Sequence, residues 1–445
     1  MSGMNRRQFL GAAGAGLAGM ALGPWGRVLG QAEGRRPNVL WIGVDDLRCG
    51  LGCYGAEHIH SPNIDKLAAR GVTFTNAHVQ QAVCAASRAS FLTGCRPDTT
   101  TVDYPYNDYF RKQFLPEHPT VPTYFNQAGY YARCGGKIHH GAPMELLKLS
   151  GPYMKAGDDP WWQGYALPEN RKKAERRRKD KSVRVPPYEC ADVPDQAYKD
   201  GALAASCVQA IREAAKREEP FFLAPGFMKP HLPFNAPKKY WDLYDRDEIE
   251  LAPVPHKPLG APDYALATFE LPSYEGNYGT AQNPVPKDLA RTLRHGYYAC
   301  TSYIDAQVGK LMAVLDELEL WDNTIVMFWS DHGFHLGDQG AWGKHMNYEW
   351  STRAPLIVAA PGVQGGGKCD ALVEYVDMYP TLCDMAGLEK PAYLEGTSMV
   401  PLLKDPDRRW KSAAFSQYHR GKGLEGYAIR TERYRYVEWY KKEKG

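Results

Sequence analysis

Apolar residues fall along this chain in two alternating patterns. Four short runs, 39–44, 221–224, 324–329 and 356–360, are almost continuously apolar. Such a run is what a strand buried on both faces requires. Elsewhere apolar positions recur at spacings of three and four. Leu289, Leu293, Tyr297, Cys300, Ile304, Val308, Leu311, Leu315 and Leu318 form one stripe of a long helix leading into the run at 324, and residues 197–217 read as a second helix. Strands alternating with helices predict an α/β fold with a mostly parallel sheet. Two stretches break both periods. Residues 141–195 are rich in Pro, Trp and charge, and residues 253–287 hold seven prolines. Both read as long surface loops, the kind that shape binding sites. Beyond residue 411 the pattern shortens to alternating stretches at 414–418, 427–430 and 434–439, which predict a small antiparallel sheet.

Three of the four apolar runs end in polar clusters. Asp45-Asp46 follows the first, Lys229-Pro230-His231 follows the run at 221, and Ser330-Asp331-His332 follows the run at 324. The fourth carries none. Ligands of open α/β sheets bind beyond the carboxyl ends of the strands, so Asp45, Asp46, His231, Asp331 and His332 are expected to converge. Three carboxylates in one place concentrate like charge, which a cation relieves. Oxygen donors favour a hard ion, Ca²⁺ or Mg²⁺. Taken alone, Asp45-Asp46 would equally serve as a helix cap.

Composition excludes several classes. The 445 residues are 44% hydrophobic and 24% charged, the balance of a folded globular chain. No apolar run approaches the ~20 residues that span a bilayer, so no stable membrane anchor is expected. The net charge of +3 resides in residues 1–32, which hold Arg6, Arg7 and Arg27 and no acid; the remainder balances at 51 basic and 51 acidic residues. A neutral body argues against nucleic-acid binding. The local exception is 171–181, with eight basic and two acidic residues. It reads as a solvated face that could also guide a polyanionic substrate. Residues 1–32 read as an address: Asn5-Arg6-Arg7-Gln8-Phe9-Leu10 resembles the twin-arginine export signal, followed by a Gly/Ala-rich stretch and Gly30-Gln31-Ala32 for cleavage. That predicts a periplasmic or extracellular protein. The three expected parts are the signal at 1–32, a catalytic domain at 33–410 and a small C-terminal subdomain at 411–445. Ten cysteines are too few for a disulfide scaffold, although export permits a bridge or two.

The segment Cys84-Ala85-Ala86-Ser87-Arg88-Ala89-Ser90-Phe91-Leu92-Thr93-Gly94 closely resembles the sulfatase signature, Cys/Ser-x-Pro-Ser-Arg followed by Leu-Thr-Gly. Within that family the chain is most similar to the iduronate-2-sulfatase group, through PNVLWIGVDDLR, KPHLPFNAPKKYWDLY, SDHGFHLGDQGAWGKH and EGTSMVPLL. The resemblance implies an alkaline-phosphatase-like sandwich and hydrolysis of a sulfate ester, on a sulfated carbohydrate. Cys84 would be oxidised to formylglycine by a maturation enzyme, and its hydrate would attack sulfur to give a sulfo-enzyme intermediate. Asp45, Asp46, Asp331 and His332 would hold Ca²⁺, or Mg²⁺, with the modified Cys84. Arg88 would orient the hydrate, Lys137 and Lys344 would contact sulfate oxygens, and His231 would protonate the leaving alcohol. The base is either His139 or His140; the iduronate-type spacing favours His140, and the other is structural or contacts substrate. His345 is a further candidate for substrate contact, and His335 a weaker one. With Cys84 modified, nine cysteines remain, so at least one stays unpaired.

Two positions depart from the family pattern. Ala86 stands where Pro is usual. The segment Glu-Leu-Tyr-Asp-Leu…Asp-Pro that normally follows Tyr436 is absent, which predicts an incomplete C-terminal subdomain with an unpaired strand edge. The same constellation would suit a phosphate or phosphonate monoester, and an unmodified Cys84 would leave a carbohydrate-binding relative without activity.

Overall fold

The structure is a computed structural model that describes residues 35–102, 106–141, 151–155, 164–267, 270–280, 283–421 and 423–441. The predicted export signal lies outside these residues, as do Trp161 and Trp162 of the Trp-rich stretch.

Seven strands make the central sheet: β1 Asn38–Asp45, β2 Val72–Phe74, β3 Tyr131–Gly136, β4 Phe221–Pro230, β5 Thr324–Ser330, β6 Leu356–Ala359 and β7 Gly367–Cys369, in the order β7-β2-β6-β5-β1-β4-β3. The block β5-β1-β4-β3 is parallel throughout, whereas β6 runs antiparallel to both β5 and β2. That reversal explains why the fourth apolar run ends without a polar cluster: its carboxyl end points away from the edge where β1, β4 and β5 finish.

Alternate residues of β1 feed two separate cores. Leu40, Ile42 and Val44 pack with helices α1 Pro62–Ala69, α5 Lys199–Ala214 and α6 Lys287–Glu317 on one face. Val39 and Trp41 pack with α2 Cys84–Thr93, α3 Val121–Gln127 and α7 Met378–Ala386 on the other. Every residue of β1 is therefore buried, the reason its sequence does not alternate. Each large apolar side chain removed from water contributes about 1.5–3 kcal/mol. The stripe from Leu293 to Leu315 is the buried face of α6, which runs for 31 residues.

One expectation fails in part. The stretch 141–195, read as loop, contains the helix α4 Pro168–Lys179 and a short strand, Tyr188–Ala191, paired with Phe234–Pro237. Within α4 only Asn170 and Ala174 are buried, so no apolar stripe marked it in the sequence. Among its described residues, the stretch 253–287 contains only short 3-10 turns before α6 begins. The C-terminal strands β8 Ala413–Arg420, β9 Leu424–Thr431 and β10 Arg435–Lys441 form the predicted antiparallel sheet, docked through Ser416, Arg435 and Lys411 onto the main body. None of the ten cysteines is in a disulfide. No helix among the described residues is long and apolar enough to cross a membrane.

Candidate active site

β1, β4 and β5 deliver their terminal residues to one point, as their parallel register requires. The register of β1 against β4 slips between Val44 and Asp45, and Asp46 turns into the left-handed region at φ 65°. A non-glycine residue there costs energy that the surroundings must supply. Here the Asp46 N–H donates to Asp331 Oδ1 at 3.2 Å, and Tyr297 donates to the Asp46 carbonyl at 2.7 Å. The turn brings Asp45 and Asp46 to the same edge as Asp331 and His332, all of them fully buried.

Cys84 is the first residue of α2, and the preceding Val83 offers no capping side chain. The first N–H groups of that helix therefore lack a side-chain cap, a favourable setting for an anion. One turn on, the buried Arg88 donates from Nε to Asp331 Oδ2 at 2.9 Å, from Nη2 to Asp45 Oδ1 at 3.3 Å, and from Nη1 to the carbonyls of Lys137 and Ile138. Lys137, just past β3, donates to Asp45 and stands 3.5 Å from Cys84 Sγ. Lys344 Nζ spans Asp46, at 2.7 and 2.8 Å, and Glu270, at 2.8 Å.

The histidines are oriented by carbonyls. A carbonyl only accepts, so Nδ1 of His332, 3.0 Å from the Gly333 oxygen, carries the proton. Its Nε2 then presents a lone pair, 3.3 Å from Cys84 Sγ. His231 is held the same way, with Nδ1 at 2.5 Å from the Leu232 oxygen and Nε2 3.8 Å from both Asp46 and Glu270. His140 lies within electrostatic reach of Lys137, Asp45, Arg88 and Lys344, whereas His139 feels only Arg88. Burial pushes both rings down, to about 3 and about 4. His345 sits beside Glu270, its Nδ1 2.7 Å from the Tyr418 hydroxyl. His335 stays out of the cluster, its ring turned to the Asp338 carbonyl.

Neighbouring carboxylates are driven in opposite directions. Burial raises both; for Asp45 the charges of Lys137, His231 and Arg88 outweigh it and hold the carboxyl well below the ordinary range. For Asp46, burial together with Asp45, Glu270 and Asp331 overcomes Lys344 and pushes it well above. The cluster is thus short of positive charge. Ligand atoms of Asp45, Cys84, Asp331 and His332 lie within 4.8 Å of one another, as do those of Asp45, Asp46, Cys84 and His231. A buried, carboxylate-rich donor set lacking positive charge fits a hard divalent cation.

Glu270 and Tyr418 are the site residues the sequence did not yield. Glu270 lies in an aperiodic loop with no motif around it, and Tyr418 lies on β8, reaching the site only because the C-terminal sheet docks there.

The family profile described as Sulfatase matches residues 37–388, and that of the N-sulphoglucosamine sulphohydrolase C-terminal region matches 337–445. Human iduronate 2-sulfatase is 34% identical over 90% of this chain and 84% of its own length. N-acetylglucosamine-6-O-sulfatase of Bacteroides thetaiotaomicron is 25% identical over 92% and 80%. In fold, the chain resembles the phosphonate monoester hydrolase of Agrobacterium radiobacter, with a TM-score of 0.72 and 23% identity over 91% of this chain and 89% of that one. A match over most of the length, on a site with this charge and these donors, makes the chain a member of the sulfatase family, iduronate-2-sulfatase-like, and a sulfuric ester hydrolase.

Proposed function

We propose that the chain removes sulfate from a carbohydrate, with Cys84, oxidised to formylglycine, at the reacting centre. The observation that carries this is the setting of Cys84 at an uncapped helix start, 3.3 Å from His332 and 3.5 Å from Lys137, inside a ring of three carboxylates and Arg88. As its hydrate, formylglycine supplies two hydroxyls: one gives its proton to the neighbouring Asp331 carboxylate and attacks sulfur as the bond from sulfur to the sugar's oxygen breaks, and loss of the other's proton expels sulfate and restores the aldehyde. Asp45, Asp46, Asp331 and His332 would hold Ca²⁺ or Mg²⁺, which when bound supplies charge that polarises oxygen.

The remaining roles belong to the chain itself. Arg88 is anchored by four acceptors and fixes the relative positions of Asp45 and Asp331. Lys137 and Lys344 bring positive charge to sulfuryl oxygens. His231 gives its Nε2 proton to the leaving alcohol. Burial first, and Lys344 next, disfavour a charged ring; a bound anion acts in the opposite sense, so protonation of His231 and binding of a sulfate ester favour each other. His140 takes the proton that releases sulfate. Relatives named for iduronate and for N-acetylglucosamine 6-O-sulfate support a carbohydrate substrate. Export by the Arg6-Arg7 signal, after modification by a formylglycine-generating enzyme, completes the proposal.

Mass analysis of the peptide spanning Cys84, together with rates on aryl sulfate and aryl phosphate, tests it. The expected result is an aldehyde at 84 and faster cleavage of the sulfate. A fully active enzyme with an intact thiol there would overturn the mechanism, and faster cleavage of the phosphate would favour a phosphate or phosphonate monoester hydrolase.

A further inference from the structure

Glu270 places a carboxylate among groups the proposed function reserves for substrate. Its Oε1 accepts from Lys344 at 2.8 Å and lies 3.8 Å from His231 Nε2. Its Oε2 lies 3.7 Å from His345 Nε2, is buried and accepts no hydrogen bond among the described residues. The position is built in. Gly343 adopts φ 148°, and a Cβ there would stand 2.8 Å from Oε2 and 3.3 Å from the Glu270 Cβ. His345, also left-handed at φ 61°, is fixed by the Ala82 carbonyl, by Tyr418 and by Arg420, which donates to its carbonyl at 2.7 Å. Three elements therefore hold the surroundings of one acid whose side chain is 12% exposed.

The sugar oxygen that His231 protonates must come within hydrogen-bond reach of Nε2, the same atom that Glu270 Oε1 approaches. Substituents of that sugar consequently lie against Glu270. A hydroxyl or an ammonium of the sugar meets the Glu270 carboxylate on its Oε1 side, and an ammonium gains charge attraction besides. A carboxylate meets like charge in a poorly solvated cleft, which disfavours it. We infer that Glu270 sets the substrate class: a sulfated amino sugar or neutral sugar in preference to a sulfated uronic acid. The inference rests on the sulfatase reading of this site and narrows it, in a direction that the resemblance to iduronate 2-sulfatase does not.

Competition with aryl sulfate hydrolysis tests it on the metal-loaded, modified enzyme. Glucosamine, glucose and glucuronate share one ring and differ in charge. Glucosamine should inhibit most strongly, and glucuronate at least about tenfold more weakly than glucose. In Glu270→Gln the spread should collapse to about twofold, because the amide keeps an acceptor toward Lys344 and removes the charge. Ratios within one variant are insensitive to its overall rate. Gly343→Ala, which must push Oε2 aside, should narrow the spread too and replaces Glu270→Gln if that variant does not fold. Glucuronate inhibiting as well as glucose, a spread that survives both variants, or no inhibition by any of the sugars would each overturn the inference while leaving the sulfatase reading intact. Failure of the wild type to cleave aryl sulfate would instead overturn that reading.

Discussion

His231 is locked at one nitrogen and open at the other. Nδ1 is 2.5 Å from the Leu232 carbonyl, and Lys229, itself buried, donates to the carbonyls of His231 and Pro233 at 2.7 and 2.6 Å. The ring cannot turn without losing its Nδ1 bond, so the proposed acid has Nε2 alone to offer a leaving group. A general acid matters in proportion to how poor that leaving group is. His231→Ala should cut turnover of a sugar sulfate by about 10²–10⁴-fold and turnover of a nitrophenyl sulfate far less. Rates on both esters with a melting temperature decide the matter: equal losses accompanied by a lowered melting temperature would make the ring structural. The histidine was legible from its place after an apolar strand. Its tautomer was not, because the Leu232 carbonyl is turned toward the ring only by the fold.

At the scale of elements, β4 and the loop after β3 meet with no room to spare. Lys137 N–H donates to the Gly226 carbonyl at 2.7 Å, and a Cβ on Gly226 would stand 2.3 Å from the Lys137 oxygen. That oxygen also receives Arg88 Nη1. Gly226→Ala must therefore move the segment that carries Lys137 and anchors Arg88. Overpacking of this kind costs about 1–3 kcal/mol, and a displacement near 1 Å at reacting groups can cost about 10²-fold in rate. Steady-state kinetics and denaturant unfolding of the variant measure both; wild-type kcat would show that the loop absorbs the methyl group without consequence. The element the sequence hid, α4, is the opposite case. Lys172, Arg176, Arg178 and Lys179 stay exposed, while the half-buried Lys173 pairs with Glu275 and Arg177 donates to the carbonyls of Val183 and Ser273, so charge rather than an apolar stripe attaches it.

For the whole molecule, two equilibria govern stability. The first is metal binding. Asp45, Asp46 and Asp331 repel one another in a buried cluster, so an ion bound only by the folded state stabilises it, by about 2.7 kcal/mol at a hundredfold excess over Kd. Chelation should abolish activity and lower Tm, and Ca²⁺ or Mg²⁺ should restore both. An unchanged Tm and unchanged rate, with metal verified absent, would remove the cation from the site. The second is acid. Burial lowers His78 to about 3 and His139 and His335 to about 4, from an ordinary 6.5. Between those values and 6.5 the unfolded chain binds protons that the fold refuses, so stability falls as pH drops below 6.5, by about 1.4 kcal/mol per ring per pH unit. Asp195 acts lower down: burial would raise it, but hydrogen bonds from Lys239 and Lys310 hold it to about 2, so its contribution is present above 3.8 and lost beneath. Denaturant midpoints from pH 7.5 to 4.5 should therefore decline from 6.5 downward, with a shallower decline in His78→Gln. A decline as steep in His78→Gln as in the wild type would mean that the His78 ring is protonated in the fold.

The sequence alone determined the parallel core, the long helix α6 and which residues gather at the candidate site, because each rests on local pattern. Buried strands must be apolar throughout, a packed helix must repeat at 3.6 residues, and the signature around Cys84 is contiguous. It also placed three polar clusters at strand ends, where parallel pairing alone makes them meet. Only the tertiary structure decided what depends on distant partners. The antiparallel course of β6 is set by its neighbours β5 and β2. Which of His139 and His140 falls within the field of Lys137 and Asp45 is likewise set by the fold. Glu270 and Tyr418 enter the site from an aperiodic loop and from β8, because long-range docking carries them there while nothing in their local sequence records it.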